Sequence, residues 1–157
     1  MTTRRAFLLL AGGAFAAAPR ARAQRPGNVE ALRKAALAEA VRKTTGGAEV
    51  RPGRVQLEVA PLIDNGNVVP LAVEVESPMT QADHVTAIHV FTEKNPQPYV
   101  ITARLGPRAG RARISTRARI ADSGQVLALV QMSDGSFWSD GVDVVVTLSA
   151  CLEDGFI

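Results

Sequence analysis

From Gly53 onward the chain is a succession of short segments in which apolar and polar residues alternate, and this pattern restricts the fold more than any other feature. In RVQLEVAP, for example, Val55, Leu57 and Val59 fall on one side of an extended strand. The same rhythm continues in LAVEVES, HVTAIHVFTE, YVITARLG, RARISTRARI, GQVLALVQMS and GVDVVVTLS. Turn signals, beginning with Asn65-Gly66, recur at intervals of roughly ten residues and leave no room for crossover helices. The sequence therefore predicts an all-β, antiparallel β-sandwich.

One helix is predicted ahead of this sandwich. The segment VEALRKAALAEAVRK is dense in strong helix formers, Asn28 is placed to cap its start, and Gly46-Gly47 is placed to end it. We expect the helix to lie on the larger body through one modestly apolar face. The residues expected on that face are Val29, Leu32, Ala36 and Ala40.

Residues 1–23 have the composition of an export signal. Paired arginines, Arg4 and Arg5, precede an apolar run, and Ala21-Arg22-Ala23 resembles a cleavage site. The run is too short, and too rich in glycine and alanine, for a stable membrane span; an uncleaved signal anchor is the alternative. The segment TRRAFL resembles a twin-arginine signal, which predicts export to the periplasm and a mature chain beginning near Gln24.

Removing the signal changes the charge of the protein. The whole chain has 18 basic and 15 acidic residues, and four of the arginines lie in residues 1–23 together with no acid. The mature chain therefore has 18 − 4 = 14 basic and 15 acidic residues, a formal charge of −1. With few aromatic residues as well, nucleic-acid binding has little support.

Candidate catalytic or metal-binding residues are few. His84 and His89 are five residues apart in one predicted strand, so they are expected on opposite faces and cannot ligate one metal as a strand pair. Asp134, Asp140 and Asp143 lie beside glycines, but their spacing does not match a calcium loop and suits turns better. No cofactor motif is found, so we expect no cofactor and no metal.

A further acidic pair, Glu74 and Glu76, lies two residues apart on one strand face. Its simplest interpretation is a solvated surface.

Cys151 is the only cysteine, and it lies six residues from the C-terminus. It cannot form an intramolecular disulfide, and an exposed thiol in an oxidising compartment is at risk of oxidation. It follows the predicted last strand, where the chain leaves the sheet. A small apolar residue at the end of that strand is the alternative interpretation.

Several short motifs follow one another along most of the mature chain. They are Asn65-Gly66, Val69-Pro70, Ser77-Pro78-Met79-Thr80, Glu93-Lys94-Asn95-Pro96 with Pro98, RARISTRARIADSGQVLALVQMSDG and VDVVVTLSAC. In this order, and together with the twin-arginine signal, they resemble the SoxY family, whose members are carrier subunits of bacterial sulfur oxidation.

The resemblance implies an immunoglobulin-like antiparallel sandwich preceded by a helix, in residues 24–148, and a mobile C-terminal cysteine arm in residues 149–157. It implies a heterodimer with a SoxZ-like subunit. In the family, the cysteine of the arm carries a sulfur intermediate covalently between enzymes, and Cys151 occupies that position.

The arm departs from the family pattern Gly-Gly-Cys-Gly-Gly. Here Ser149 and Ala150 precede Cys151, and Leu152 and Glu153 follow it, similar to relatives with an arm close to Ala-Ala-Cys-Ile-Glu. Glycines make an arm slim and flexible, whereas leucine and glutamate widen and stiffen it. The added negative charge disfavours the thiolate and repels anions such as thiosulfate. A different sulfur cargo, or a different enzyme that recognises the arm, therefore fits this sequence better.

Two functions from different classes remain open at this point. In the first, Cys151 is loaded and unloaded by partner enzymes. In the second, the protein is a non-catalytic interaction module whose tail binds a partner through Phe156 and Ile157, and the thiol is incidental.

Overall fold

In a computed structural model of the 157-residue chain, the described residues are 26–149, with side chains from Val29 onward. They form one α-helix, nine strands and a single turn of 3-10 helix at Pro107–Ala109. The helix is α1 (Pro26–Thr45), and the strands are β1 (Val50–Pro52), β2 (Val55–Val59), β3 (Leu62–Asn65), β4 (Val69–Val75), β5 (Val85–Thr92), β6 (Tyr99–Arg104), β7 (Arg113–Ala118), β8 (Gly124–Met132) and β9 (Phe137–Leu148). Within this part of the chain, no helix is long and apolar enough to cross a membrane.

The strands form two sheets that pack face to face. The larger sheet has the order β1-β9-β8-β5-β6, with β3 also pairing to β9, and the smaller has the order β2-β4-β7. All pairs within the smaller sheet, and the β9-β8-β5-β6 pairs of the larger, are antiparallel. The β-sandwich with one N-terminal helix that the sequence predicts is therefore confirmed.

Two short strands pair in a way that the sequence did not predict. β1 and β3 both run parallel to β9, one at its start beside Phe137 and one at its end beside Val145. β9 has 12 residues, and β8 covers only one of its edges. The two short strands pair with the other edge of β9. Alternation of apolar and polar residues shows that a segment is a strand but does not show which strand it pairs with.

The core lies between the sheets and uses the predicted side of each strand. Leu57, Leu71, Val73 and Val75 are buried there, opposite residues of the larger sheet such as Val130. One polar contact also joins the two layers: the backbone N–H of Leu57 donates to Oδ2 of Asp140, 2.8 Å away. In both sheets, alternate side chains of a strand therefore point into the space between the layers and are buried there.

Helix α1 packs on the outer side of the larger sheet, but not through the predicted face. Leu37 and Ala40 are buried against Phe91, Leu129 and Phe137. Of the four predicted contact residues, only Ala40 is buried; Leu32 is 55% exposed and Ala36 is exposed. The buried face is rotated because Leu37, not Ala36, has the bulk that fills the space above three large apolar side chains.

The helix ends confirm one prediction and correct another. Gly46 and Gly47 have φ values of 64° and 86°, a conformation that glycine adopts without strain, and α1 ends there as predicted. Asn28 lies inside α1 (Pro26–Thr45) and is therefore not its cap.

Candidate functional site

The last strand, β9, is hydrogen-bonded to neighbouring segments up to its final residue, Leu148. The backbone N–H of Val145 donates to the Pro61 carbonyl at 2.8 Å, and the carbonyl of Leu148 accepts from the Gly66 N–H at 3.0 Å. The hydroxyl of Thr147 donates to the Asp64 carbonyl at 3.0 Å. These contacts place the start of the C-terminal arm at one end of the sandwich.

Of the predicted arm, Ser149 follows β9 directly and is exposed. Ala150, Cys151, Leu152 and Glu153 lie outside the described residues, and so do the export signal and the cleavage site. The predictions made for those residues stay predictions.

Four large apolar side chains on β3, on β9 and in the β3–β4 connection are exposed. These residues, which we call the base patch, are each more than half exposed. They are Leu62, Val68, Val145 and Leu148. Leu62 and Val145 are register partners in β3 and β9, and Leu148 is 66% exposed. Leu62 and Val145 lie side by side, and adjacent exposed apolar side chains of this kind mark a contact surface.

A groove of about 730 Å³ runs between α1 and the outer side of the larger sheet. We call it the α1 groove. Its lining is largely apolar and includes Leu37, Ala38 and Val41 from the helix, Val50 from β1 and Leu127 from β8. Its polar lining comes from Lys34, Arg42, Thr45, Glu93, Gln125 and Asp143, and Gly47 and Ala48 complete the wall. Grooves of this size and polarity accommodate small ligands or a few side chains.

Glu93 is the least expected residue of the groove, because it is only 7% exposed. Its Oε1 atom has no hydrogen-bond partner among the described residues. The Lys94 ammonium lies 3.2 Å from that atom and offsets its charge as an ion pair. Lys94 is also 3.7 Å from a carboxylate oxygen of Glu30 on α1. The motif Glu93-Lys94 was visible in the sequence, but its burial was not.

Asn95 follows Glu93-Lys94 in the same motif and connects two loops. Its side chain accepts the Ala121 N–H at 2.8 Å and donates to the Arg119 carbonyl at 2.9 Å. It therefore joins the β5–β6 loop to the segment between β7 and β8, which is a structural role.

The two histidines are not brought together as a site. His84, predicted in the strand, lies just before β5, and its Nδ1 is 3.1 Å from the Thr80 carbonyl. His89 lies within β5, with Nδ1 2.9 Å from the Thr102 hydroxyl. Burial, and then the positive charge of Arg104, lower the pKa of His89, so its neutral form is favoured.

The aspartates make local structural contacts. Asp134 accepts the Ser136 N–H at 2.8 Å, and hydrogen bonds from Ser136 lower the pKa of Asp134. Asp140 accepts the N–H groups of Leu57 and Gly141, and Asp143 lines the α1 groove. Across residues 26–149, no group of three or more histidine, cysteine or acidic side chains is arranged to hold a metal ion.

Of the acidic pair predicted as a solvated surface, Glu74 takes part in a network of ion pairs. Glu74 pairs with Arg111 and Arg113 on the outer side of the smaller sheet, and Arg113 also pairs with Glu58. Hydrogen bonds from Arg113 lower the pKa of both carboxyl groups. Glu76 is exposed, as expected. We call Glu58, Glu74, Arg111 and Arg113 the charged ladder.

The fold and the site define a two-layer β-sandwich that carries a helix on one outer face and ends in a strand leading to a single-cysteine segment. A family described as "Sulfur oxidation protein SoxY" matches residues 41–151. The chain belongs to the SoxY family, as its sequence motifs predicted. None of the curated proteins matches the chain.

Solved structures agree with this assignment. The sulfur carrier protein SoxY from Chlorobium limicola f thiosulfatophilum is 25% identical, with a TM-score of 0.62; the match covers 73% of this chain and 99% of that one. A superoxide reductase (neelaredoxin) from Ignicoccus hospitalis is 14% identical, with a TM-score of 0.53 over 60% of this chain and 80% of that one. The second likeness concerns the fold alone, because one sandwich architecture serves unrelated chemistries.

Proposed function

We propose that the protein is a sulfur-oxidation carrier that presents Cys151 on its C-terminal arm to partner enzymes. The observation that carries this proposal is the extent of the family match, which runs through the sandwich and ends on residue 151. A similar solved structure is described as a sulfur carrier protein. The thiol is the attachment point for a sulfur-containing group, and the enzymes that load and unload it supply the chemistry.

The described residues support a presenting role in two ways. β9 is hydrogen-bonded through Leu148, so the arm starts from a fixed point at one end of the sandwich. Ser149 is already exposed, and eight more residues follow it. At about 3.3 Å per residue, residues 149–157 span up to roughly 30 Å, enough to enter an enzyme cleft.

Substituting the thiol separates this function from the alternative, binding of a partner through the tail. In Cys151→Ser, carriage is lost because serine cannot form the covalent sulfur bond, whereas a tail contact through Phe156 and Ile157 is retained. The measurement is the intact mass of protein purified from its own host without reductant. The proposal predicts an added mass on the native chain that disappears in Cys151→Ser; an unmodified native chain with a functional Cys151→Ser variant contradicts it.

We further propose that a SoxZ-like subunit pairs with this chain. The apolar base patch supports such a contact, since Leu62, Val68, Val145 and Leu148 are exposed in the single chain. Co-expression with a SoxZ-like subunit should yield a 1:1 complex and reduce self-association of this chain. A monomer that is fully soluble alone and does not bind such a subunit would contradict this proposal.

Export through the twin-arginine pathway to the periplasm completes the proposed role. A folded-protein exporter suits a carrier that crosses the membrane already bound to a partner without a signal. Replacing both Arg4 and Arg5 by lysine should retain the precursor inside the cell, as measured by fractionation. Normal export of that variant would show that another pathway is used.

A further inference from the structure

The segment from the end of β6 to just past β7 concentrates positive charge on the surface. Between Glu93 and Asp122 the sequence has no acidic residue, and residues 104–119 include six arginines, all of them exposed. They are Arg104, Arg108, Arg111, Arg113, Arg117 and Arg119. Glu58 and Glu74 of the charged ladder offset two of these charges, so this side of the sandwich keeps a positive excess.

This charge lies where both sheets end. β6 is the last strand of the larger sheet and β7 the last strand of the smaller one. β2, at the other end of the smaller sheet, lies against β9 and β8, so β7 lies toward β6. Within residues 26–149, no strand pairs with the far side of β7, which we call the free edge.

The register of β7 with β4 shows which backbone groups face the free edge. The N–H of Val75 donates to the carbonyl of Ala112 at 2.9 Å. In an antiparallel pair, bonding to the neighbouring strand alternates with bonding away from it. Even-numbered residues of β7 therefore bond to β4, and odd-numbered residues direct their N–H and C=O groups to the free edge. The odd-numbered residues are Arg113, Ser115 and Arg117.

A strand added at the free edge would meet a different environment on each of its two sides. On the outer side it would lie beside the side chains of Arg113 and Arg117. On the inner side it would face the space between the sheets, where Ile101, Leu105 and Ile114 pack on the core but are only partly buried. Because side chains alternate along a strand, the matching segment alternates acidic and apolar residues.

A second copy of this chain does not match the free edge. Two β7 strands paired antiparallel about Ser115 would place Arg113 of each copy directly opposite Arg117 of the other. Like charges in that position destabilise a sheet, whereas opposite charges stabilise it. Within the described part of the chain, Arg117 makes no ion pair, so its charge is available to a carboxylate of a partner.

We propose that the free edge of β7 binds an extended acidic segment of a partner protein, which joins the smaller sheet as an added strand. Backbone hydrogen bonds provide the pairing, and the arginines select acidic residues at alternate positions. The β3–β9 pair, which bears Leu62 and Val145 of the base patch, lies away from β6 in the larger sheet, so both surfaces can be occupied together. This inference goes beyond the proposed carrier function and does not depend on loading of Cys151.

The first test measures the affinity of the mature chain, residues 24–157 with Cys151→Ser, for a blocked peptide of alternating glutamate and valine as long as β7. Isothermal titration calorimetry at low salt should detect binding that weakens as salt is added. Arg117→Glu should weaken it about tenfold, because a favourable ion pair becomes a repulsive one. The matched control is Arg51→Glu on β1, at the opposite edge of the larger sheet; it should change the affinity by less than about twofold.

The second test distinguishes strand addition from general attraction of anions. In NMR hydrogen exchange with the peptide bound, the amides of Arg113, Ser115 and Arg117 should exchange at least about tenfold more slowly than in the free protein. The amides of Ile114 and Thr116, already bonded to β4, should be slow in both states. A peptide with methylated backbone nitrogens keeps its charges but lacks donors, and it should protect none of the three edge amides.

Two outcomes would overturn the proposal. One is the absence of peptide binding at low salt, which would leave the arginines as protection of the edge against self-pairing. The other is unchanged exchange at the three edge amides, with inorganic polyphosphate bound as tightly as the peptide. The carrier function is tested separately, by the intact mass of the native protein, and its failure would not alter either result.

Discussion

Both sheets of the sandwich bury alternate side chains in the core between them, but their outer faces differ. One outer face is covered by a helix, and the other is exposed to solvent. On the larger sheet, Phe91, Leu129 and Phe137 point outward and are buried under α1. On the smaller sheet, the outward positions hold the charged ladder, in contact with solvent. The inward residues thus define the sandwich, and the outward residues decide which face receives a helix.

The largest loss of stability is expected for a substitution on the face of the larger sheet that α1 covers. Leu129 is fully buried between the larger sheet and α1, so Leu129→Ala leaves a cavity and should lower the free energy of unfolding by about 2–5 kcal/mol. Urea unfolding followed by circular dichroism measures it. Leu32→Ala is the matched control, because Leu32 is on α1 but 55% exposed; its effect should stay within about 0.5 kcal/mol. Similar losses for both variants would mean that α1 does not pack as described.

An intermediate loss of stability is expected when a contact between α1 and the edge strand β6 is removed. The hydroxyl of Tyr99 on β6 donates to the Ala40 carbonyl of α1 at 3.1 Å and lies 3.2 Å from the Thr44 hydroxyl. Tyr99→Phe removes these contacts but keeps the ring against Phe91. The free energy of unfolding should fall by about 0.5–1 kcal/mol. No measurable change in the same urea unfolding experiment would show that solvent replaces both contacts without cost.

The smallest effect is expected on the charged face. Arg113→Met removes the partner that lowers the pKa of Glu58 and Glu74. Carboxyl groups with a lowered pKa add stability above their unfolded pKa, and this contribution is lost as pH falls through the folded value. The variant should therefore melt slightly below wild type at pH 7, and the difference should shrink as the pH falls below about 4.5, the ordinary pKa of a glutamate, or in about 1 M salt.

Arg117→Met serves as the matched control for the charged face. Arg117 lies on the same strand, β7, but does not take part in the ion pairs that Arg113 makes with Glu58 and Glu74. The melting temperature should change less in Arg117→Met than in Arg113→Met at pH 7. An Arg113→Met difference that shrinks neither with falling pH nor with added salt would mean that packing of the arginine side chain, and not its charge, stabilises this face.

The sequence predicted the strands well because their signal is local. Alternation placed Leu57, Leu71 and Val73 in the core, and all three are buried. The glycines after α1 marked its end correctly, since a positive φ is a property of the residue itself. The family motifs also led to the assignment that the match over residues 41–151 establishes.

The missed features depend on contacts between distant segments. Ala36 and Leu37 are adjacent in sequence, and only the side chains beneath the helix decide which of them is buried. The burial of Glu93 depends on α1 and β8, which are far from it in the chain. The prediction for Cys151 came from its position and the family resemblance, and residues 150–157 lie outside the structural description.

By itself, the sequence determined the alternating strands, the helix, the single thiol beyond the last strand and the family, because each is encoded in local composition, spacing or ordered motifs. The tertiary structure decided that β1 and β3 join β9 in parallel, that α1 contacts the sheet through Leu37, and that a groove lies between them. The physical reason is that strand pairing and helix docking are selected by complementary shapes and unpaired backbone groups on segments far apart in the chain, which no local pattern specifies.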